Sequence, residues 1–226
     1  MTEPENRRPL KSRGAGWAKG LAKRLAEAEV SPDVVSAGSV MFALLGAMCL
    51  LWSRSADGPA RALLFLAAAV FIQLRLVCNL LDGMVAVEHG KGGPYGPIWN
   101  ELPDRVADVL LLVAAGYGAS ILTDLSGASA LGWLAAVLAV LTAYVRELGR
   151  ALGFPADFCG PMAKPQRMAV LTAACLVSMI EPLWGWGGHV MVIALMVIAI
   201  GAVATVIRRV RHLARRLRER DGDGED

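Results

Sequence analysis

Asn79 to Asp108 read NLLDGMVAVEHGKGGPYGPIWNELPDRVAD. This stretch sets Asp82, Asp104 and Asp108, with Asn79 and Asn100, at the ends of two segments that are otherwise apolar enough to cross a membrane. An ionised carboxylate within a bilayer costs about 2.5–3.5 kcal/mol even on lenient scales, so a cluster of them marks a functional site by default. Asn79 and Asp82 stand at i, i+3, and Asn100, Asp104 and Asp108 at i, i+4, i+8. On helices each set falls on one face. Two converging oxygen-rich faces suit a hard divalent cation such as Mg²⁺ or Mn²⁺.

Composition agrees with a membrane protein. Of 226 residues, 55% are hydrophobic and 19% charged, and the mean hydropathy is +0.49. Cys49, Cys78, Cys159 and Cys175 are scattered through the chain and predict packing residues, not a disulfide framework or a zinc site. His89, His189 and His212 are also far apart, so no histidine metal site is expected. The N-terminal MTEPENRRPLKSRG carries no cleavable signal pattern.

Apolar runs predict an all-α membrane protein with six spans, at roughly 34–52, 61–86, 104–123, 128–146, 167–184 and 188–207. Gly and Pro turn signals fall between them. Residues 15–29, AGWAKGLAKRLAEAE, predict an amphipathic helix with Trp17, Leu21 and Leu25 on one face, lying along an anionic leaflet. The expected organisation is a cytoplasmic segment 1–29, a six-helix domain 30–207 and a basic then acidic tail 208–226. With six spans, 20 of the 23 basic residues share one side; only Arg54 and Arg61 fall opposite, and Arg75 lies within the second span. That bias places both termini and the 79–108 cluster in the cytoplasm, and the chain in the inner membrane. Nothing in the basic tail predicts a nucleic-acid partner.

With these residues in view, the chain resembles the CDP-alcohol phosphatidyltransferase family, six-helix membrane enzymes with the signature D-x2-D-G-x2-A-R-x8-G-x3-D-x3-D. Here the run is Asn79-x2-Asp82-Gly83-x2-Ala86-Val87-x8-Gly96-x3-Asn100-x3-Asp104. The spacing matches throughout; Asn79 and Asn100 replace acids and Val87 replaces arginine. A second register takes Asp104-Arg-Val-Ala-Asp108 as the last acid pair, with a loop four residues longer and Asn100 at the glycine position. Both registers use the same helix face. Val30-Ser-Pro-Asp-Val-Val-Ser36 is similar to the family's entry to its first helix, so the resemblance covers about residues 30–200.

The resemblance implies that a hydroxyl attacks a CDP-linked lipid such as CDP-diacylglycerol and CMP leaves, with metal ions neutralising the pyrophosphate and a carboxylate taking the hydroxyl proton. It assigns Asp82 as a metal ligand, Asp104 as base or metal ligand and Asp108 as the alternative base. Asn79 and Asn100 become neutral amide ligands, so metal affinity is weaker and one metal can replace two. Gly83, Ala86 and Gly96 leave room for the nucleotide. Arg146, Lys164 and Arg167 are placed at the phosphates of the substrates, Lys164 and Arg167 at a helix start that also favours anions. Lys91 and His89 lie in the loop over the site, and Glu88 and Glu101 read as solvated. A homodimer and contacts with membrane lipids are further implications. The acceptor alcohol stays open, with a slight preference for one that carries a phosphate.

Two rivals stand beside this. Asn100-Glu-x2-Asp104-x3-Asp108 also resembles the N-D-x2-D-x3-D motif of membrane aromatic (UbiA-like) prenyltransferases, which use a second aspartate-rich motif and more helices than this chain has. A relative that binds a CDP-lipid without turning it over is the other.

Overall fold

A computed structural model describes residues 14–88, 90, 94–122 and 127–222. The basic residues Arg7, Arg8, Lys11 and Arg13, the loop residues His89 and Lys91, the Glu88 side chain and residues 223–226 of the acidic end lie outside the described part. Among the described residues, seven α-helices follow one another: α1 (Gly16–Glu27), α2 (Pro32–Trp52), α3 (Gly58–Glu88), α4 (Gly96–Leu122), α5 (Ala128–Ala151), α6 (Lys164–Ser178) and α7 (His189–Gly222). Single 3₁₀ turns follow α2 and α6. There is no strand among the described residues.

Among the described residues, four segments are long and apolar enough to cross a membrane: Pro32–Ser55, Gly58–Val87, Ala128–Ala151 and His189–Gly222. The shorter or more polar α4 and α6 pack among them, α4 between α2 and α5, and α6 against α3 and α7.

Local chemistry accounts for the boundaries. α2 opens on Ser31, whose hydroxyl accepts the Val34 N–H at 3.3 Å, with Pro32 and Asp33 in the first turn. α4 starts at Gly96, well before the expected 104, and carries Pro103 in its interior. A proline there leaves the Trp99 carbonyl without its usual helical donor. α6 stops at Ser178, short of the expected 184, because Pro182 and the left-handed Gly185 (φ +69°) divert the chain. α7 runs its 34 residues, about 51 Å at the helical rise. Its basic second half therefore continues past the apolar part as one helix.

Small residues set how closely the helices pack. A Cβ added to Gly116 would lie 2.8 Å from Gly132 Cα, and one added to Gly118 would lie 2.4 Å from the Leu50 carbonyl oxygen. Only glycine lets α4 meet α5 and α2 at these points. Ile72, Leu111, Leu112, Met168, Leu171, Leu195 and Ile198 fill the core between them.

On α1, Ala18 and Ala22 bury against Val35, Leu80, Leu81, Met84 and Val85, while Trp17 and Leu21 stay exposed. Leu25 joins the buried side. The predicted Trp17–Leu21–Leu25 face is thus divided between the protein and the outside, because two alanines let α1 approach α3 closely.

Consecutive helices α3 and α4 touch each other far less than α2 touches α3. The space between them is where the site lies.

Candidate active site

Helical spacing puts Arg75, Asn79 and Asp82 on one face of α3, and Glu101, Asp104, Arg105 and Asp108 on the facing side of α4. The start of α6 adds Lys164 and Arg167, α5 adds Thr142, Arg146 and Glu147, and α7 adds Arg209. All of these but Arg75 and Asp108, which lie behind the wall, border a cavity of about 680 Å³.

The deepest point is Asp108, which is fully buried. Its Oδ1 accepts from Arg75 Nη2 at 2.8 Å and its Oδ2 from Arg167 Nη2 at 2.7 Å. Arg167 Nη1 also donates to Thr142 Oγ1 at 3.1 Å and to the Met162 carbonyl at 3.0 Å. Arg75, whose partner the sequence does not reveal, therefore answers to Asp108 and, through the Asp104 carbonyl at 3.2 Å, to the turn above.

Asp104 sits one turn nearer the opening, its side chain 13% exposed. Its Oδ1 accepts from Asn79 Nδ2, its Oδ2 pairs with Lys164 Nζ, and Arg105 Nη2 stands 3.5 Å from Oδ2. Across the gap, Asp82 Oδ2 accepts the Ser36 hydroxyl at 2.6 Å. Asp82 Oδ1 is buried without a hydrogen-bond partner. An ionised oxygen in that position needs a cation or a donor, since leaving it desolvated and unpaired is costly.

Asn79, Asp82, Gly83, Ala86, Gly96, Asn100, Asp104, Arg146, Lys164 and Arg167 all line the cavity. Asp108 does not: it lies behind Asp104, closed off by the two arginines. Asn100 is exposed at the mouth, apart from the Asn79–Asp104 contact. Arg146 is held by Glu101 and by Glu147 at 2.9 Å, and its guanidinium stacks 5.6 Å from the Phe158 ring centre. Glu101 is thus part of the wall instead of a solvated flank.

Sequence reasoning gave no role to Ser36, Thr142 or Arg209. Ser36 closes the similarity at the entry to α2, and that was its only signal. Thr142 lies in an apolar run, and Arg209 lies among tail arginines that look alike in one dimension.

No family model matches the chain. It is 25% identical over 195 residues to a phosphatidylinositol phosphate synthase of Mycolicibacterium smegmatis, covering 85% of this chain and 82% of that protein. It is 29% identical over 150 residues to the inner membrane protein YnbA of Escherichia coli, covering 66% and 71%. Among solved structures, Mycobacterium tuberculosis phosphatidylinositol phosphate synthase with CDP-DAG bound matches with a TM-score of 0.72 at 20% identity, over 88% of this chain and 94% of that one. The same enzyme in complex with manganese and citrate also matches at 0.72, with 19% identity over 87% and 88%. At these identities the structural likeness establishes the fold.

Proposed function

We propose that the chain is a CDP-alcohol phosphatidyltransferase, in line with its likeness to phosphatidylinositol phosphate synthases, and that it moves a phosphatidyl or similar phospho-alcohol group from a CDP-linked donor such as CDP-diacylglycerol to a hydroxyl acceptor, releasing CMP, in phospholipid synthesis. The observation that carries this reading is the meeting of Asn79 and Asp82 from α3 with Asp104 from α4 in one cavity rimmed by Arg105, Arg146 and Lys164.

Mg²⁺ or Mn²⁺ fits these residues. Asp82 Oδ1 is buried and unpaired, Asp104 faces the cavity, and Asn79 adds an amide oxygen. This is an all-oxygen set suited to a hard cation. Such a cation, held there, would neutralise the donor's pyrophosphate and favour departure of CMP. Asn100, at the mouth, is a further amide ligand in the same proposal.

Asp104 takes the base role. It lines the cavity, whereas Asp108 lies behind it, enclosed by two buried guanidiniums. The acceptor oxygen forms its bond to phosphorus, the bond from phosphorus to the CMP oxygen breaks, and CMP leaves with that electron pair. The acceptor proton passes to the Asp104 carboxylate. Asp108 positions this centre by fixing Arg75 under Asp104 and Arg167 at the α6 start. Gly83, Ala86 and Gly96 leave space for the nucleotide, and Lys164, Arg167 and Arg146 supply positive potential toward substrate phosphates.

The remaining parts of the proposal concern the membrane. α2 to α7 form six spans, α1 lies at the interface, and both termini and the cavity mouth face the cytoplasm across the inner membrane. The divisions at 29/30 and 207/208 and a homodimer complete it.

The test is CMP release from CDP-diacylglycerol by protein in lipid, with Mg²⁺ or Mn²⁺ and a panel of alcohols. Release that depends on one acceptor and is lost in Asp82→Ala and Asp104→Ala supports the reading and names the acceptor. Metal-dependent CDP-lipid binding with no release for any alcohol overturns it in favour of a binder, which Asn79, Asn100 and Val87 would then explain.

A further inference from the structure

A second group of metal-ligating side chains stands apart from the α3–α4 carboxylates. The loop 152–163, between α5 and α6, lies against the basic half of α7. One potential ligand atom from each of Asp157, Cys159 and His212 lies within 4.8 Å of the other two; Asp157 and Cys159 are half-buried and the His212 side chain is 43% exposed. Asp157 Oδ1 accepts the Cys159 N–H at 2.8 Å, and its Oδ2 is 2.7 Å from His212 Nδ1.

We propose that Asp157, Cys159 and His212 form a binding site for a thiolate-seeking divalent transition metal of the zinc class, which fastens the loop 152–163 to α7. The donor set is one carboxylate oxygen, one sulfur and one imidazole nitrogen. This mixed, partly soft set selects zinc-like ions over Mg²⁺, which takes oxygen ligands. Metal–sulfur bonds of about 2.3 Å and metal–nitrogen or –oxygen bonds of about 2.0–2.2 Å place tetrahedral ligand atoms roughly 3.3–3.6 Å apart. The observed spread, within 4.8 Å, is about 1.2–1.5 Å wider than that spacing at most. Three protein ligands leave a fourth position for water.

The backbone around the site is already held. Arg209 Nε donates to the Cys159 carbonyl at 2.9 Å, and Thr205 Oγ1 accepts the Met162 N–H at 2.9 Å. Gly160, at φ +115°, has Thr205 where a Cβ would stand, at 2.5 Å, so the loop is pressed onto α7. A site whose backbone is fixed before binding loses less entropy on binding. Burial, and then the contact with Asp157, push the Cys159 thiol up. Burial alone would raise Asp157 as well, but the Cys159 amide and His212 hold it below the usual carboxylate range. Metal binding then releases the thiol proton to solvent as the metal–sulfur bond forms, with no change of oxidation state.

The site has a consequence for the large cavity. Ala156 and Phe158 of the same loop line it, and Phe158 carries the Arg146 guanidinium. An occupied site would stiffen that wall. The metal site itself stands whatever the cavity binds.

The experiment is a Co²⁺ titration of the tag-free, full-length protein in lipid nanodiscs, followed by absorption. A single saturating Co²⁺ is expected to give a thiolate-to-cobalt charge-transfer band that Zn²⁺ displaces and excess Mg²⁺ does not. Cys159→Ser should abolish the band. His212→Ala should weaken Co²⁺ by about tenfold or more. Cys78→Ser should keep the band, although that thiol lies beside Asp82. No charge-transfer band in the wild-type protein, or a band that survives Cys159→Ser, overturns the proposal and leaves a His212–Asp157 hydrogen bond alone.

Discussion

Asp108→Ala would leave two guanidinium groups buried without their shared counter-ion. Arg75 is 0% and Arg167 1% exposed at the side chain, so neither can turn to water. Each has some residual support: Arg75 keeps Asp104 at 3.5 Å, and Arg167 keeps Thr142 and the Met162 carbonyl. Removing one member of a buried pair costs about 3–5 kcal/mol, because the charge left behind stays desolvated. For a chain of this size that corresponds to a fall in Tm of about 6–20 °C, at roughly 2–4 °C per kcal/mol. Asp104→Ala is the comparison. Its partner Lys164 borders the cavity and is 21% exposed, so water can replace the lost carboxylate. That variant should lose about 1–2 kcal/mol and all turnover. Thermal unfolding of both variants in one detergent–lipid mixture, beside CMP release, separates the two carboxylates. An Asp108→Ala protein that melts with the wild type yet has no turnover would refute the reasoning, and would make Asp108 the base.

Three further outcomes follow from single contacts. Ser36→Ala removes the hydroxyl that Asp82 Oδ2 accepts at 2.6 Å; the Mg²⁺ or Mn²⁺ concentration for half-maximal turnover should rise by about 10–100-fold, as for other residues that orient a metal ligand, and a metal titration of activity checks it. Asn79→Asp replaces the amide that donates to Asp104 Oδ1 with a second carboxylate; metal affinity should rise and metal-free Tm fall, both readable from melting curves with and without Mn²⁺. Gly116→Ala drives a Cβ to 2.8 Å from Gly132 Cα; overpacking of this kind costs about 1–3 kcal/mol, and a variant as stable as wild type would show that α4 and α5 do not cross as described.

Much of this protein is determined within short stretches of its sequence. Helix repeat alone puts Asn79 with Asp82, and Asp104 with Asp108, on common faces, because the side-chain period depends only on residues within a turn or two. Ser31 and Pro32 signal the start of α2 in the same way. The distribution of Lys and Arg is equally local, and it carries the proposed orientation without any tertiary contact.

The tertiary structure decided what lies between those segments. Apolar runs misjudged where α4 begins and where α6 stops, because the first turns of α4 are helical but polar and Pro182 and Gly185 divert the chain before the apolar run ends. Which carboxylate faces the cavity was undetermined while two registers shared one helix face. It followed from Asp108 meeting arginines 33 and 59 positions away. The joining of Asp157 to His212 spans 55 positions, so residues that look scattered along the chain form one cluster in space. Periodicity is a property of neighbours along the chain, whereas charge pairing and ligand convergence depend on how whole helices pack, and one sequence does not display that packing.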